Sequence, residues 1–186
     1  PTARRAWPGR RRRYREAVSL NPALEDVRYC PRCAAEAAVR FPRSLECPAC
    51  GYLTYFNPKP VAAAIPRTES GEVVLLRRAF DPSAGLWTFP GGFVDLGESV
   101  EAAARREARE ELAVDLELTG LVGVYSRSDE RVVLVVFSAR IQGDPRETEE
   151  AAEVRAFAPD ALPWDELAFW STEQALRDHL GVPSPA

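Results

Sequence analysis

An α/β fold with a mixed sheet and helices on its faces, preceded by a small four-cysteine ribbon, is what these 186 residues predict. Three observations carry that expectation. All four cysteines fall between positions 30 and 50 as two CxxC pairs. Short apolar stretches of strand character follow, broken by one long helical stretch that begins near Ser99. A second, shorter helical pattern closes the chain. The expected division is a basic arm at 1–26, the ribbon at 27–54 and the α/β body at 55–186.

The ribbon rests on Cys30-Pro-Arg-Cys33 and Cys47-Pro-Ala-Cys50, separated by thirteen residues. Each pair suits a tight turn presenting two sulfurs, and together they have the spacing of a four-thiolate zinc site. Two disulfides are the rival pattern, disfavoured in a chain expected to be cytoplasmic. Four thiolates leave no open position, so the expected zinc is structural, and in so short a segment its binding supplies the folding energy.

Composition bounds the rest. With 46% hydrophobic residues the chain can build a packed core, and no apolar run approaches the roughly 18 residues of a membrane span. The N-terminus has no apolar signal core, which leaves the cytoplasm as the expected compartment. The first 20 residues hold seven arginines and one glutamate, a net +6, so the remainder sums to −10 within a total of −4. The arginine run suits a solvated tail better than a nucleic-acid arm, and an acidic body argues against nucleic acid as the main partner.

After the ribbon, "GYLTYFNPKP" reads as a connector fixed by Asn57-Pro58 and Pro60. Strands are expected at 61–65 and 72–78, antiparallel across the turn "PRTESG", and at 86–90. Three more are expected in "LELTGLVGVYS", "RVVLVVFSARI" and "EVRAFAP", the second almost wholly apolar and so central. The final helix, "STEQALRDHLG", is expected to be capped by Ser171 or Thr172 and stopped by Gly181. His179 on it is expected to face solvent, and Trp164 and Trp170 to pack it down.

The first helix poses the functional question. Glu107, Glu110 and Glu111 fall within an arc of about 100°. Neighbours of like charge at these spacings repel by a few tenths of a kcal/mol each. Beside them runs an apolar strip, Val100, Ala104, Ala108 and Leu112, with Arg105, Arg106 and Arg109 assigned to the far side. Carboxylates gathered at a core margin are the donor set of a hard divalent cation, typically Mg²⁺, which shares its shell with phosphate oxygens. Pro90-Gly91-Gly92 is a backbone corner that can approach such an ion and offer a carbonyl.

Gly92, five residues, Glu98, seven residues, then Arg106-Glu107-Ala108-Arg109-Glu110-Glu111-Leu112-Ala113-Val114 resembles the signature box of the Nudix hydrolases. One position departs: the family's glycine near the end of the box is Ala113, about 1 kcal/mol worse in a left-handed helix end. A zinc ribbon ahead of such a domain is similar to the group of NADH, FAD and ADP-ribose pyrophosphatases. The "SQPWPFPxS" stretch of NADH pyrophosphatases is replaced by "YSRSDERVVLVVF", whereas "SAGLWTFPGGFVDLGES" and "LPWDELAFWST" look like the FAD and ADP-ribose branch.

The resemblance implies an α/β/α sandwich and attack of water on the diphosphate of a nucleotide substrate, with Mg²⁺ or Mn²⁺ held by Glu107, Glu110, Glu111 and the Gly91-Gly92 corner. It implies that Arg106 pairs with a box glutamate, that Glu98 supports the metal, and that the general base lies in the box or in a later loop, where Glu149 and Glu150 stand. Tyr55, Phe56, Trp87 and Tyr125 are candidate stacking partners for the nucleobase. Selectivity is expected in loops 79–86 and 126–131. A homodimer is also expected, as in relatives. The alternatives are a hydrolase of nucleoside triphosphates or capped RNA, and a nucleotide-sensing regulator without turnover.

Overall fold

The computed structural model describes residues 27–40 and 44–183. The arginine-rich arm, 1–26, lies outside the described residues. Contacts divide the chain into two units that meet between Asn57 and Pro58.

The first unit is a three-stranded antiparallel sheet of β1 (Ala38–Arg40), β2 (Ser44–Glu46) and β3 (Leu53–Tyr55), in the order β1-β2-β3. Each CxxC pair is a knuckle. The Ala34 N–H donates to the Cys30 carbonyl at 2.9 Å and the Gly51 N–H to the Cys47 carbonyl at 2.9 Å. Both closing residues are left-handed, Ala34 at φ 59° and Gly51 at φ 69°. Tyr55 belongs to β3, so the ribbon runs past 54.

The second unit holds a seven-stranded mixed sheet between two helices. Its strands are β4 (Lys59–Arg67), β5 (Val73–Arg78), β6 (Trp87–Thr88), β7 (Gly91–Phe93), β8 (Asp115–Tyr125), β9 (Val132–Gln142) and β10 (Ala151–Phe157). The main path is β10-β5-β4-β9-β8, with β6 on β5 and β7 on β4. Only β4 and β9 pair in parallel. Helix α1 (Val100–Leu112) packs on one face and α2 (Trp170–Leu180) on the other.

Strand alternation sorts the core. Ala62, Ala64, Val74 and Leu76 face α1, where they meet Ala103, Ala104, Ala108 and Leu112. Ala63, Ile65, Val73 and Leu75 face α2 with Trp87, Ala175 and Leu176. Alanines on both helix and strand let α1 lie close to the sheet, which brings its glutamates against the β7 backbone.

β9 is interior as expected, flanked by β4 and β8, while β4 holds the middle of the path; Ala62 and Ala64 are fully buried because α1 presents alanines to them. Two expectations needed correction. The Gly91-Gly92 corner is itself a strand, β7, paired to β4 with Ala62 opposite Gly92. Helix α2 begins at Trp170 with Phe169 at its cap position and no side-chain cap. The Thr172 hydroxyl turns inward instead, 3.1 Å from that of Thr88.

Candidate active site

Ser99 caps α1 by accepting from the Ala102 N–H at 3.2 Å, and this fixes the phase of the glutamate edge. Helix and β7 meet on that edge. A Cβ on Gly92 would lie 2.4 Å from Glu107 Oε1 and displace that carboxylate, while one on Gly91 would meet the Ala62 carbonyl oxygen at 2.9 Å and the Ala63 Cβ at 2.4 Å, so only glycine lets the strand pass there. The Gly91 N–H donates to Glu111 Oε2 at 2.8 Å. Gly91 thus presents its N–H to the carboxylate.

Arg106 does not project away with the other arginines. Its guanidinium bonds Glu98 Oε1 at 2.7 Å, Glu107 Oε1 at 2.7 Å, Glu110 Oε2 at 2.9 Å and the Phe93 carbonyl at 2.9 Å. It therefore ties the helix to the turn after β7, and Glu98 also accepts from the Asp95 N–H at 2.8 Å. This guanidinium holds the Glu98 carboxyl below its ordinary range.

Glu111 receives no such partner. It is 5% exposed, and burial, with the charges of Glu107 and Glu150 added, pushes its carboxyl up to about 8 despite the Gly91 bond. Burial raises Glu107 as well, against Arg106. Two nearly buried carboxylates one turn apart, sharing one guanidinium on Glu107 and set against a glycine backbone, are the donor set of a hard cation with oxygen ligands.

Two residues beside this pair lie on other elements. Glu150 is near enough to raise both carboxyls, and a chain of hydrogen bonds fixes its backbone. The Thr148 hydroxyl donates to the Glu111 carbonyl at 3.2 Å, the Glu150 N–H to Thr148 Oγ1 at 3.3 Å, and the Ala79 N–H to the Glu150 carbonyl at 3.0 Å. Arg78, at the end of β5, lies near enough to pull Glu111 back down. Sequence reasoning missed Arg78. The available signal was strand alternation in "LLRR", which sends Arg77 to the α2 face over Trp87 and Arg78 to the α1 face.

The aromatic candidates fare differently. Trp87 is 1% exposed, with the Phe157 ring edge-on at 5.0 Å and Arg77 over it at 4.6 Å, and so belongs to the core. Tyr125 is buried too, its hydroxyl donating to Asp178 at 2.8 Å. Neither offers a free ring face. Tyr55 is exposed on the ribbon, and Phe56 follows it in the same unit.

The four cysteine sulfurs lie within 4.8 Å of one another. Cys30 and Cys50 are 3.7 Å apart and Cys33 and Cys47 3.5 Å. A disulfide would require about 2.05 Å. Tetrahedral coordination with metal–sulfur bonds of about 2.3 Å requires sulfurs roughly 3.8 Å apart, and the observed spacing fits it.

A cleft of about 690 Å³ lies elsewhere, beyond the far end of β4 and β9, lined by Arg67, Glu117, Ser138, Arg140 and His179 among others. It contains none of the α1 glutamates. His179 does not face solvent freely: its Nε2 is enclosed without a partner, and burial together with Arg67 lowers its pKa.

Residues 57–178 match the family model described as the NUDIX domain. An ADP-ribose pyrophosphatase of Methanocaldococcus jannaschii is 32% identical over 134 residues, 69% of this chain and 77% of that protein. An NAD-capped RNA hydrolase NudC of Stutzerimonas stutzeri is 30% identical over 91% of this chain, which spans 63% of that relative's length. A NUDIX hydrolase of Nitrosomonas europaea shares the fold with a TM-score of 0.77 and 32% identity, covering 83% of this chain and 91% of that one. By its carboxylate helix, its sandwich and these likenesses, the chain belongs to the NUDIX hydrolase family.

Proposed function

We propose that the protein is a metal-dependent pyrophosphohydrolase that cleaves the diphosphate of nucleoside diphosphate derivatives, of the ADP-ribose, FAD or NADH type, to a nucleoside monophosphate and a phosphorylated remainder. The observation that carries this reading is the pair Glu107 and Glu111, nearly buried, raised in pKa and facing the β7 glycines. These two, with Glu110, would hold Mg²⁺ or Mn²⁺. Such an ion neutralises a diphosphate and activates water for in-line displacement. Arg106 and Glu98 set the orientation of Glu107 and Glu110. Glu150, whose charge is felt by both carboxyls, would serve as the general base, and Arg78 would bring a positive charge to the same edge. The cysteine cluster is the structural zinc site.

ADP-ribose, FAD, NADH and nucleoside triphosphates incubated with Mg²⁺ or Mn²⁺ test the reading, with products resolved by chromatography. AMP release from a diphosphate derivative is expected. Glu107→Gln and Glu111→Gln should each lower kcat by several orders of magnitude. Variants that turn over every substrate as well as the parent would overturn it. A second reading, hydrolysis of a dinucleotide cap on RNA, is favoured by the relative aligned over 91% of this chain, and an NAD-capped RNA belongs in the same panel.

A further inference from the structure

A nucleotide whose diphosphate meets Glu107 and Glu111 must place its base somewhere, and neither Trp87 nor Tyr125 can receive it. The hydrogen-bond chain from Glu111 through Thr148, Glu150 and Ala79 leads to Arg78. The Arg78 guanidinium lies 5.3 Å from the centre of the Phe169 ring. The loop after Arg78 is held to the same segment, because the Ser83 hydroxyl donates to the Ala168 carbonyl at 3.2 Å and the Ala168 N–H to the Trp87 carbonyl at 2.8 Å. Next in sequence is Trp170, half-buried, with its indole N–H donating to Glu130. Trp170 packs in part against the α2-face core, and the guanidinium of Arg127, an exposed residue of the loop between β8 and β9, lies over its ring at 3.9 Å.

A half-buried indole with the guanidinium of an exposed arginine over its ring presents a face on that side covered by a displaceable side chain. Guanidinium and nucleobase are both planar and bind such a face by the same stacking. We propose that the Trp170 ring, with Phe169 beside it, is the seat of the nucleobase, and that Arg127 covers this face until the base takes its place. The inference rests on the reading of the site as one for nucleoside diphosphate derivatives. It makes the loop between β8 and β9 selective by what it lifts from Trp170, while Glu130 keeps the indole edge fixed.

Calorimetric titration with AMP and with base-free ribose 5-phosphate, each in the presence of Mg²⁺, tests it. The parent should bind AMP at least tenfold more tightly than ribose 5-phosphate. Trp170→Leu, which keeps apolar bulk without a π face, should weaken AMP on the order of tenfold and leave ribose 5-phosphate unchanged. Trp170→Phe should retain most of the AMP affinity yet lose the AMP-induced quenching of indole fluorescence. Trp164→Phe, whose ring carries Arg177 instead, should keep that quenching. Equal binding of the two probes by the parent, or quenching that survives Trp170→Phe, overturns the seat. AMP binding that depends on Trp170 in a protein that cleaves none of the diphosphates would uphold the seat and sink the hydrolase reading instead.

Discussion

Glu111 carries the largest electrostatic tension among the described carboxylates, and its titration has a definite sign. Its folded pKa of about 8 lies above the ordinary value of 4.5, so the folded state prefers the protonated form. That contribution is present in full below the ordinary value and is lost as pH rises through about 8. Between pH 6.5 and 9 in a chelator, the parent's Tm should therefore fall relative to that of Glu111→Gln. Excess Mg²⁺ should flatten the difference if the carboxylate holds the ion. Equal pH profiles for the two proteins in chelator would contradict the assignment. His179, lowered from its ordinary 6.5, is common to both proteins and so cancels from the difference.

Ala113 is a second residue whose strain can be measured. It ends α1 at φ 57°, its N–H donating to the Arg109 carbonyl at 3.1 Å and the following Val114 N–H to the Ala108 carbonyl at 3.5 Å. Alanine is about 1–2 kcal/mol worse than glycine in that conformation, and glycine returns about 0.5–1 kcal/mol to the unfolded chain. Ala113→Gly should thus stabilise by about 0.5–1 kcal/mol in urea denaturation. A destabilised variant would show that the αL end is not under strain.

At the scale of elements, α1 is a rigid rod whose rotational phase decides whether the glutamates face β7. Its N-terminal cap, its alanine face and its Arg106 tie to the Phe93 carbonyl set that phase together. Ser99→Ala removes only the cap, about 1 kcal/mol, and should lower Tm by about 3–5 °C. Activity at a temperature where the variant is folded should persist, because Arg106 still holds the phase. Helix α2 was legible in its existence and its Gly181 stop, but not in its start. Thr172 satisfies a buried hydroxyl across the sheet edge, and sequence alone cannot distinguish that from a cap, since both use the same side chain within the same turn.

At the scale of the molecule, the two units differ in what holds them. Among the described residues of the first, the buried apolar side chains are Cys30, Leu45 and Cys47, far too few for a core. The second has two cores, one on each face of its sheet. A strong chelator should therefore unfold the ribbon without lowering the main melting transition of the catalytic unit. Elemental analysis of the parent should find about one equivalent of zinc, and Cys30→Ser should lose it. Retention of ordered ribbon amides in chelator, followed by hydrogen exchange, would contradict a metal-held fold. The described helices include none long and apolar enough to cross a membrane. A homodimer remains our proposal, which light scattering tests directly.

The ribbon, the sandwich and the carboxylate edge were legible because each is written in local spacing: two CxxC pairs, strand alternation, and glutamates three and four residues apart. What surrounds that edge depended on long-range packing. That packing put Arg106 against Glu98 and the Phe93 carbonyl, brought Glu150 from the loop before β10 and Arg78 from the end of β5, and closed Trp87 and Tyr125 into the core. Those outcomes depend on which faces of β4, β5 and α2 meet, and burial of an aromatic ring is a property of its neighbours in space, not of its own position in the chain.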